Sequence, residues 1–164
     1  EMSASLVGSE MCIRDRAYIV YAISVMQGIP WSVSDTYYQL DKRGSPKWLF
    51  QAAMIVPAFL LLPAWLDVSP VEIQFLAFLS GAGLIFVGAA PCFKLELEGK
   101  VHYIATGVCG VASLAWICLA GYWLFPLLLS ASCIYLTYRY QRPMFWVECS
   151  LFLSVYLTVF CLLL

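Results

Sequence analysis

Apolar residues along this chain are gathered into long runs separated by short polar links. The clearest unit is a hairpin from Gly81 to Leu119, in which two such runs are joined by Phe93-Lys94-Leu95-Glu96-Leu97-Glu98-Gly99-Lys100, and the single histidine, His102, opens the second run. A helix that crosses a bilayer needs about 20 mainly apolar residues, and several runs approach that length.

In chain order, Ala17 to Ile29 is apolar but too short to cross alone, and Pro30 stops it. The link from Trp31 to Lys47 is the most polar stretch after it. Ser45-Pro46 then reads as an N-cap with proline at the first helical position, opening a second helix to Leu66. Pro57 and Pro63 lie inside that helix, where each removes a backbone donor, so it is expected to kink and to pack within the bundle. Ser69-Pro70-Val71-Glu72 reads as a capping box that opens a third helix, to about Ala90. The fourth helix follows His102 and closes at Gly121. The fifth runs from Trp123 and Pro126 to about Tyr138, and the sixth from Arg142-Pro143 to Leu164.

Composition turns these runs into a class. With 63% hydrophobic residues, 12% charged and a mean hydropathy of +0.85, a water-soluble domain of this size would expose far more apolar surface than soluble monomers carry. A bilayer removes that conflict. The fold expected is all-α: a polytopic transmembrane helical bundle of about six helices, the first one truncated, forming a single domain over residues 17–164.

Residues 1–16 are set apart. The string Ser5-Leu-Val-Gly-Ser-Glu-Met-Cys-Ile-Arg-Asp-Arg16 resembles translated sequencing-adapter DNA of the kind found in metagenomic assemblies, so native sequence is expected to begin near Ala17. A signal peptide fits poorly, because Glu10, Arg14, Asp15 and Arg16 interrupt any apolar core.

Small residues mark expected helix contacts. Gly83 and Gly88 in the third helix and Gly107 and Gly110 in the fourth let backbones approach, and these two faces are expected to meet. Ser150, Ser154 and Thr158 recur every four residues in the sixth helix and form a hydrogen-bonding packing stripe. Trp and Tyr cluster near the helix ends, Trp31, Trp48, Trp65 and Trp123 among them, as an interfacial belt.

Charge adds orientation. After residue 16, every lysine and arginine (Lys42, Arg43, Lys47, Lys94, Lys100, Arg139, Arg142) falls in or beside the first, third and fifth links. These links share one side in a six-helix chain, and that side is expected to be cytoplasmic, with the termini outside, in a bacterial inner membrane. The cysteines show no metal-ligand spacing and read as buried free thiols, while one histidine is too few for a multi-histidine zinc or bis-histidine haem site. No metal and no cofactor is expected. No phosphate loop, nucleophile elbow or nucleic-acid-binding patch is present; membrane lipids and a second copy of the chain are the expected partners.

Pro30-Trp-Ser-Val-Ser34-Asp35-Thr36, then Gly83…Gly88…Phe93, then His102-Tyr103, resembles the pattern of the damage-regulated autophagy modulator-like six-helix membrane proteins and their bacterial relatives, over roughly Pro30 to Gly110. The Ser-Asp pair stands one residue further from the proline than in that family. The resemblance implies a six-helix bundle with no established enzymatic activity.

Three functions fit this reading. The first is a non-enzymatic membrane protein that responds to lipid or regulates a partner. The second is a small transporter or channel subunit, and the third an intramembrane enzyme using Ser34, Asp35, His102 or Glu148. Any chemistry is expected in one polar pocket formed by Asp35, Lys94, His102 and Glu148, because a carboxyl group inside a spanning helix is costly and turns toward the bundle interior or a partner. Two residues along a helix is about 200° of rotation, so Glu148 and the Ser150 stripe belong to different faces.

Overall fold

The computed structural model describes residues 17–164; the segment resembling adapter sequence lies outside the described residues. The described chain is all-helical: α1 (Ala17–Met26), α2 (Thr36–Lys42), α3 (Trp48–Val68), a 3-10 turn (Val71–Ile73) leading into α4 (Gln74–Ala89), α5 (Glu96–Leu119), α6 (Leu124–Tyr140) and α7 (Pro143–Leu163).

Four helical stretches are long and apolar enough to cross a membrane: α3, the 3-10 turn with α4, α5 and α7. The 17 residues of α6 span about 25 Å, less than the roughly 30 Å of a hydrocarbon core. Large apolar side chains point outward from these helices, among them Phe59, Phe78, Val111, Leu128 and Ile134.

Turn chemistry sets where the helices stop. Gly121 has φ +89, while the amides of Gly121 and Tyr122 return to the carbonyls of Cys118 and Ile117, closing α5. Gly44 at φ +69 closes α2 in the same way. For α1 the left-handed residue is Gln27, so the helix ends at Met26, ahead of Gly28 and Pro30.

Several local expectations are corrected. The first link is not irregular throughout, because Thr36, Tyr37 and Leu40 bury one side of the short helix α2. Ser45 does not cap α3: the cap position is Lys47, without a side-chain bond. The Ser69–Glu72 capping box does not form either. Ser69 Oγ instead donates to the Trp65 carbonyl at 2.5 Å and accepts the Trp116 indole N–H at 2.8 Å. The helix α5 starts at Glu96 rather than near His102, and Glu96 and Glu98 in its first turn suit the positive end of the helix dipole. As expected, α3, with Pro57 and Pro63 inside it, packs within the bundle, against α2, α4 and α7.

Small residues play more varied parts than expected. Gly83 does bring α4 onto α5, since a Cβ there would lie 2.9 Å from Cys109 Cβ and 3.0 Å from the Ala105 carbonyl oxygen. Gly88 faces α3 instead, through Met54 and Ile55, and Gly110 faces Leu151 of α7. Gly107 is exposed, and among the described residues no atom lies near its would-be Cβ. Ser150 meets Cys133 of α6 at 2.9 Å, whereas Ser154 and Thr158 are buried and donate to carbonyls one turn back. Trp65, expected at an interface, is buried with its ring centroid 5.1 Å from that of Trp116. Of the described cysteines only Cys133 is buried.

The helices α3 to α7 alternate in direction, which leaves two apolar clusters at opposite ends. One gathers Leu61, Trp65, Trp116, Ile117, Val155 and Val159. The other gathers Val33, Tyr37, Phe50, Met54, Val87 and Phe145, beside the links that carry all the lysines and arginines of residues 17–164.

Candidate functional site

At the lysine- and arginine-bearing end, the segment Trp31 to Asp35 folds in among the helices. Its backbone polar groups then need partners, because burying them unpaired costs free energy. Side chains from separate elements supply these partners. Glu148 of α7 accepts the Val33 N–H through Oε2 at 2.5 Å, and Ser32 Oγ accepts the Asp35 N–H at 3.0 Å. Thr36 Oγ1 donates to the Val33 carbonyl at 2.5 Å and also meets the Tyr18 hydroxyl. The first turn of α7 adds a backbone bond, from Phe145 N to Trp31 O at 3.2 Å.

His102, buried in the second turn of α5, links three segments. Its Nδ1 lies 2.9 Å from the carbonyl oxygen of Ala90, the residue that ends α4, and its Nε2 lies 3.1 Å from Ser34 Oγ. The Phe93 ring centroid sits 5.2 Å from the imidazole. That turn can fold against α5 only because residue 99 is glycine, since a Cβ there would come 2.5 Å from the Phe93 carbonyl oxygen.

A cavity of about 280 Å3 opens here, lined by Ser34, Asp35, His102, Tyr103, Thr106 and Glu148, with Trp31 and Phe93 also on its wall. Two apolar cavities follow toward the bundle interior. The nearer, about 180 Å3, shares Ser34, Thr106, Met144 and Glu148 with the polar one. The further, about 190 Å3, shares Val33, Met54, Leu84 and Phe152 with the nearer and extends to Tyr156. Ser34 and Glu148 therefore stand between a cavity that carries several polar groups and one lined almost wholly by apolar atoms.

The structure brings Asp35, His102 and Glu148 to one cavity. Lys94 is the exception: its side chain lies over the Tyr38 ring, Nζ 4.3 Å from the centroid, and it does not line the cavity. The Lys94 amide donates to the Tyr38 hydroxyl at 3.1 Å, which fixes the turn in that direction. Glu148 forms no ion pair among the described residues, so it answers neither Arg142 nor Lys94. Nearby, the Tyr37 hydroxyl is pushed up to about 12 by its 3.5 Å hydrogen bond with the Cys92 thiol and then by burial, so it stays protonated at neutral pH. Among the described residues, no three metal-ligating side chains converge.

Thr106 completes the cavity without having stood out in the sequence, while Trp31, Phe93 and Tyr103 stood there only as parts of a pattern and not as site residues. Glu148 carried a local signal as a carboxyl group inside an apolar run, and His102 as the single histidine.

Fold and site together define an all-helical bundle, with four helices of membrane-crossing length and, at one end, a cavity carrying polar groups that shares lining residues with a more apolar one. Comparison with protein-family models, curated proteins and solved structures returned no match.

Proposed function

We propose that this is a multi-pass integral membrane protein that binds a single-chain membrane amphiphile at its lysine- and arginine-bearing end. The observation that carries the reading is the row of cavities, the first carrying several polar groups and the next lined almost wholly by apolar atoms, with Ser34 and Glu148 between them. A lipid with one chain has the same division. Its head group occupies the polar cavity and its chain runs inward past Met54, Leu84 and Phe152.

The polar cavity favours a head group with a positive end. It offers the carboxyl groups of Asp35 and Glu148 together with the rings of Trp31, Phe93 and Tyr103, and an ammonium group is attracted by both carboxylates and aromatic faces. Arg142, whose guanidinium lies 5.6 Å from the Trp31 ring centroid, stands at the rim for a phosphate. Lysophosphatidylcholine satisfies all three requirements.

In this reading α6, and a first helix of which α1 is the described part, cross the membrane with the four longer helices, making six spans. The end bearing Lys42, Arg43, Lys94 and Arg142 faces the cytoplasm, because positively charged links are retained there. Native mass spectrometry of the detergent-solubilised protein with lysophosphatidylcholine tests the binding. One lipid per chain is expected, and Ala53→Phe, at a residue that lines the further cavity, is expected to weaken binding at least tenfold. Equal binding by wild type and Ala53→Phe would refute the assignment of the chain to these cavities.

A further inference from the structure

Ser34 and His102 are 68 residues apart in the chain, yet Oγ and Nε2 are 3.1 Å apart. The other ring nitrogen, Nδ1, is 2.9 Å from the Ala90 carbonyl oxygen. A carbonyl oxygen only accepts, so Nδ1 carries the proton, and in the neutral ring Nε2 presents its lone pair to the Ser34 hydroxyl. This is the geometry of a general base held toward a hydroxyl nucleophile, with a third group fixing the tautomer. Phe93 against the ring, and Thr106 Oγ1 donating to the His102 carbonyl at 2.8 Å, hold that part of α5 in place.

A bond that merely tied the loop to α5 would need no open space beside the hydroxyl. Ser34 instead lines both the polar cavity and the nearer apolar one. In a bound single-chain lipid, the bond between head and chain falls at that junction.

Resting on the amphiphile-binding reading above, we propose that Ser34 and His102 are the nucleophile and base of an acyl-ester hydrolase acting on a single-chain lipid. Ser34 Oγ attacks the ester carbonyl carbon while its proton passes to His102 Nε2. As the tetrahedral adduct collapses, the bond from the acyl carbon to the head-group oxygen breaks. His102 gives its proton to that oxygen, the head group leaves as an alcohol, and the acyl chain remains on Ser34. Water entering through the polar cavity then loses a proton to His102 Nε2 and adds its oxygen to the acyl carbon. The acyl–Oγ bond breaks, Ser34 recovers the proton, and the fatty acid leaves. The sum is hydrolysis of one ester by one water, with both residues returned to their starting state.

A long-chain alkyl fluorophosphonate tests the pair, since an activated serine displaces its fluoride and keeps the phosphonyl group. The full-length protein in detergent is treated with this probe, and the adduct is located by peptide mass mapping, so the assignment does not depend on any variant folding. A single adduct on Ser34 is expected, absent in Ser34→Ala and formed at least tenfold more slowly in His102→Gln. Binding of lysophosphatidylcholine is measured in parallel. No adduct on Ser34, or equal labelling of several serines, with lysolipid binding intact, would overturn the hydrolase and leave the binding reading standing. Loss of both in the wild-type protein would overturn the two together.

Discussion

The two ends of the bundle solve the problem of buried polar groups in different ways. At the Trp65 and Trp116 end, packing dominates: two indoles meet edge to face, and Ser69 serves Trp116 while returning its own proton to the Trp65 carbonyl one turn back. The side chains around it are Leu61, Ile117, Val155 and Val159. At the other end a non-helical segment is drawn inward, and Glu148, His102, Ser32 and Thr36 answer its backbone and side-chain groups. The first arrangement leaves one buried donor, the Trp65 indole N–H, without a partner among the described residues. The second leaves a 280 Å3 cavity with polar atoms around it, which is why function is assigned to that end.

Substitutions separate the two. Trp116→Ala empties a fully buried site and removes the donor to Ser69, so thermal unfolding in detergent is expected to show a loss of about 3–5 kcal/mol. Lysolipid affinity per folded molecule should stay unchanged; a matching loss of binding would mean that the ends are not independent. Gly99→Ala is the nearest equivalent at the cavity end. The new methyl group would stand 2.5 Å from a backbone oxygen that cannot swing away, so about 2–3 kcal/mol is expected, this time with weaker binding because the Phe93 turn and His102 must shift.

Glu148→Ala leaves the Val33 N–H without its acceptor, and a buried unpaired amide costs about 1–3 kcal/mol. Glu148→Gln keeps an acceptor oxygen and is expected to recover most of that stability. It removes the carboxylate, however, so binding of a cationic head group should remain weakened; identical binding by Glu148→Gln and wild type would exclude a charge role. Smallest is Gly107→Ala, where open space surrounds the new methyl group. Helix propensity favours alanine, so no loss is expected, and a gain of up to about 1 kcal/mol. A clear loss in the same unfolding assay would mean that another helix covers this position.

The helices were legible because length and apolarity mark them without help from partners, and α3, α4 and α7 start and end within a few residues of where the runs do. Elements set by tertiary contact were not. The helix α2 shows no long apolar run, and its stability comes from what Leu40 and Tyr37 bury against. Ser69 had the spacing of a cap, yet Trp116, 47 residues away, claimed its hydroxyl. Gly107 and Gly83 look alike in sequence, and only the rotation of each helix, α5 and α4, about its own axis decides which glycine meets a neighbour.

The site was legible in the same uneven way. Glu148 stood out because a carboxyl group in an apolar run needs a partner wherever the helix goes. That the partner is a backbone amide 115 residues earlier, rather than Arg142 or Lys94, depends on how the Trp31 to Asp35 segment folds inward. The approach of Ser34 to His102 has no local signature at all. Gly99, which lets the Phe93 turn close, resembled a loop glycine because α5 was expected to begin after it.

The central claim is that an amphiphile enters the cavity end with its chain inside the bundle. The most direct test is photo-crosslinking with a lysophosphatidylcholine that carries a diazirine near the end of its acyl chain, followed by mapping of the adducts. The account predicts adducts concentrated on Met54, Leu84, Phe152 and Tyr156, competed away by unlabelled lysolipid. Adducts confined to outward-facing residues such as Phe59, Phe78 and Val111, and unaffected by competitor, would contradict it.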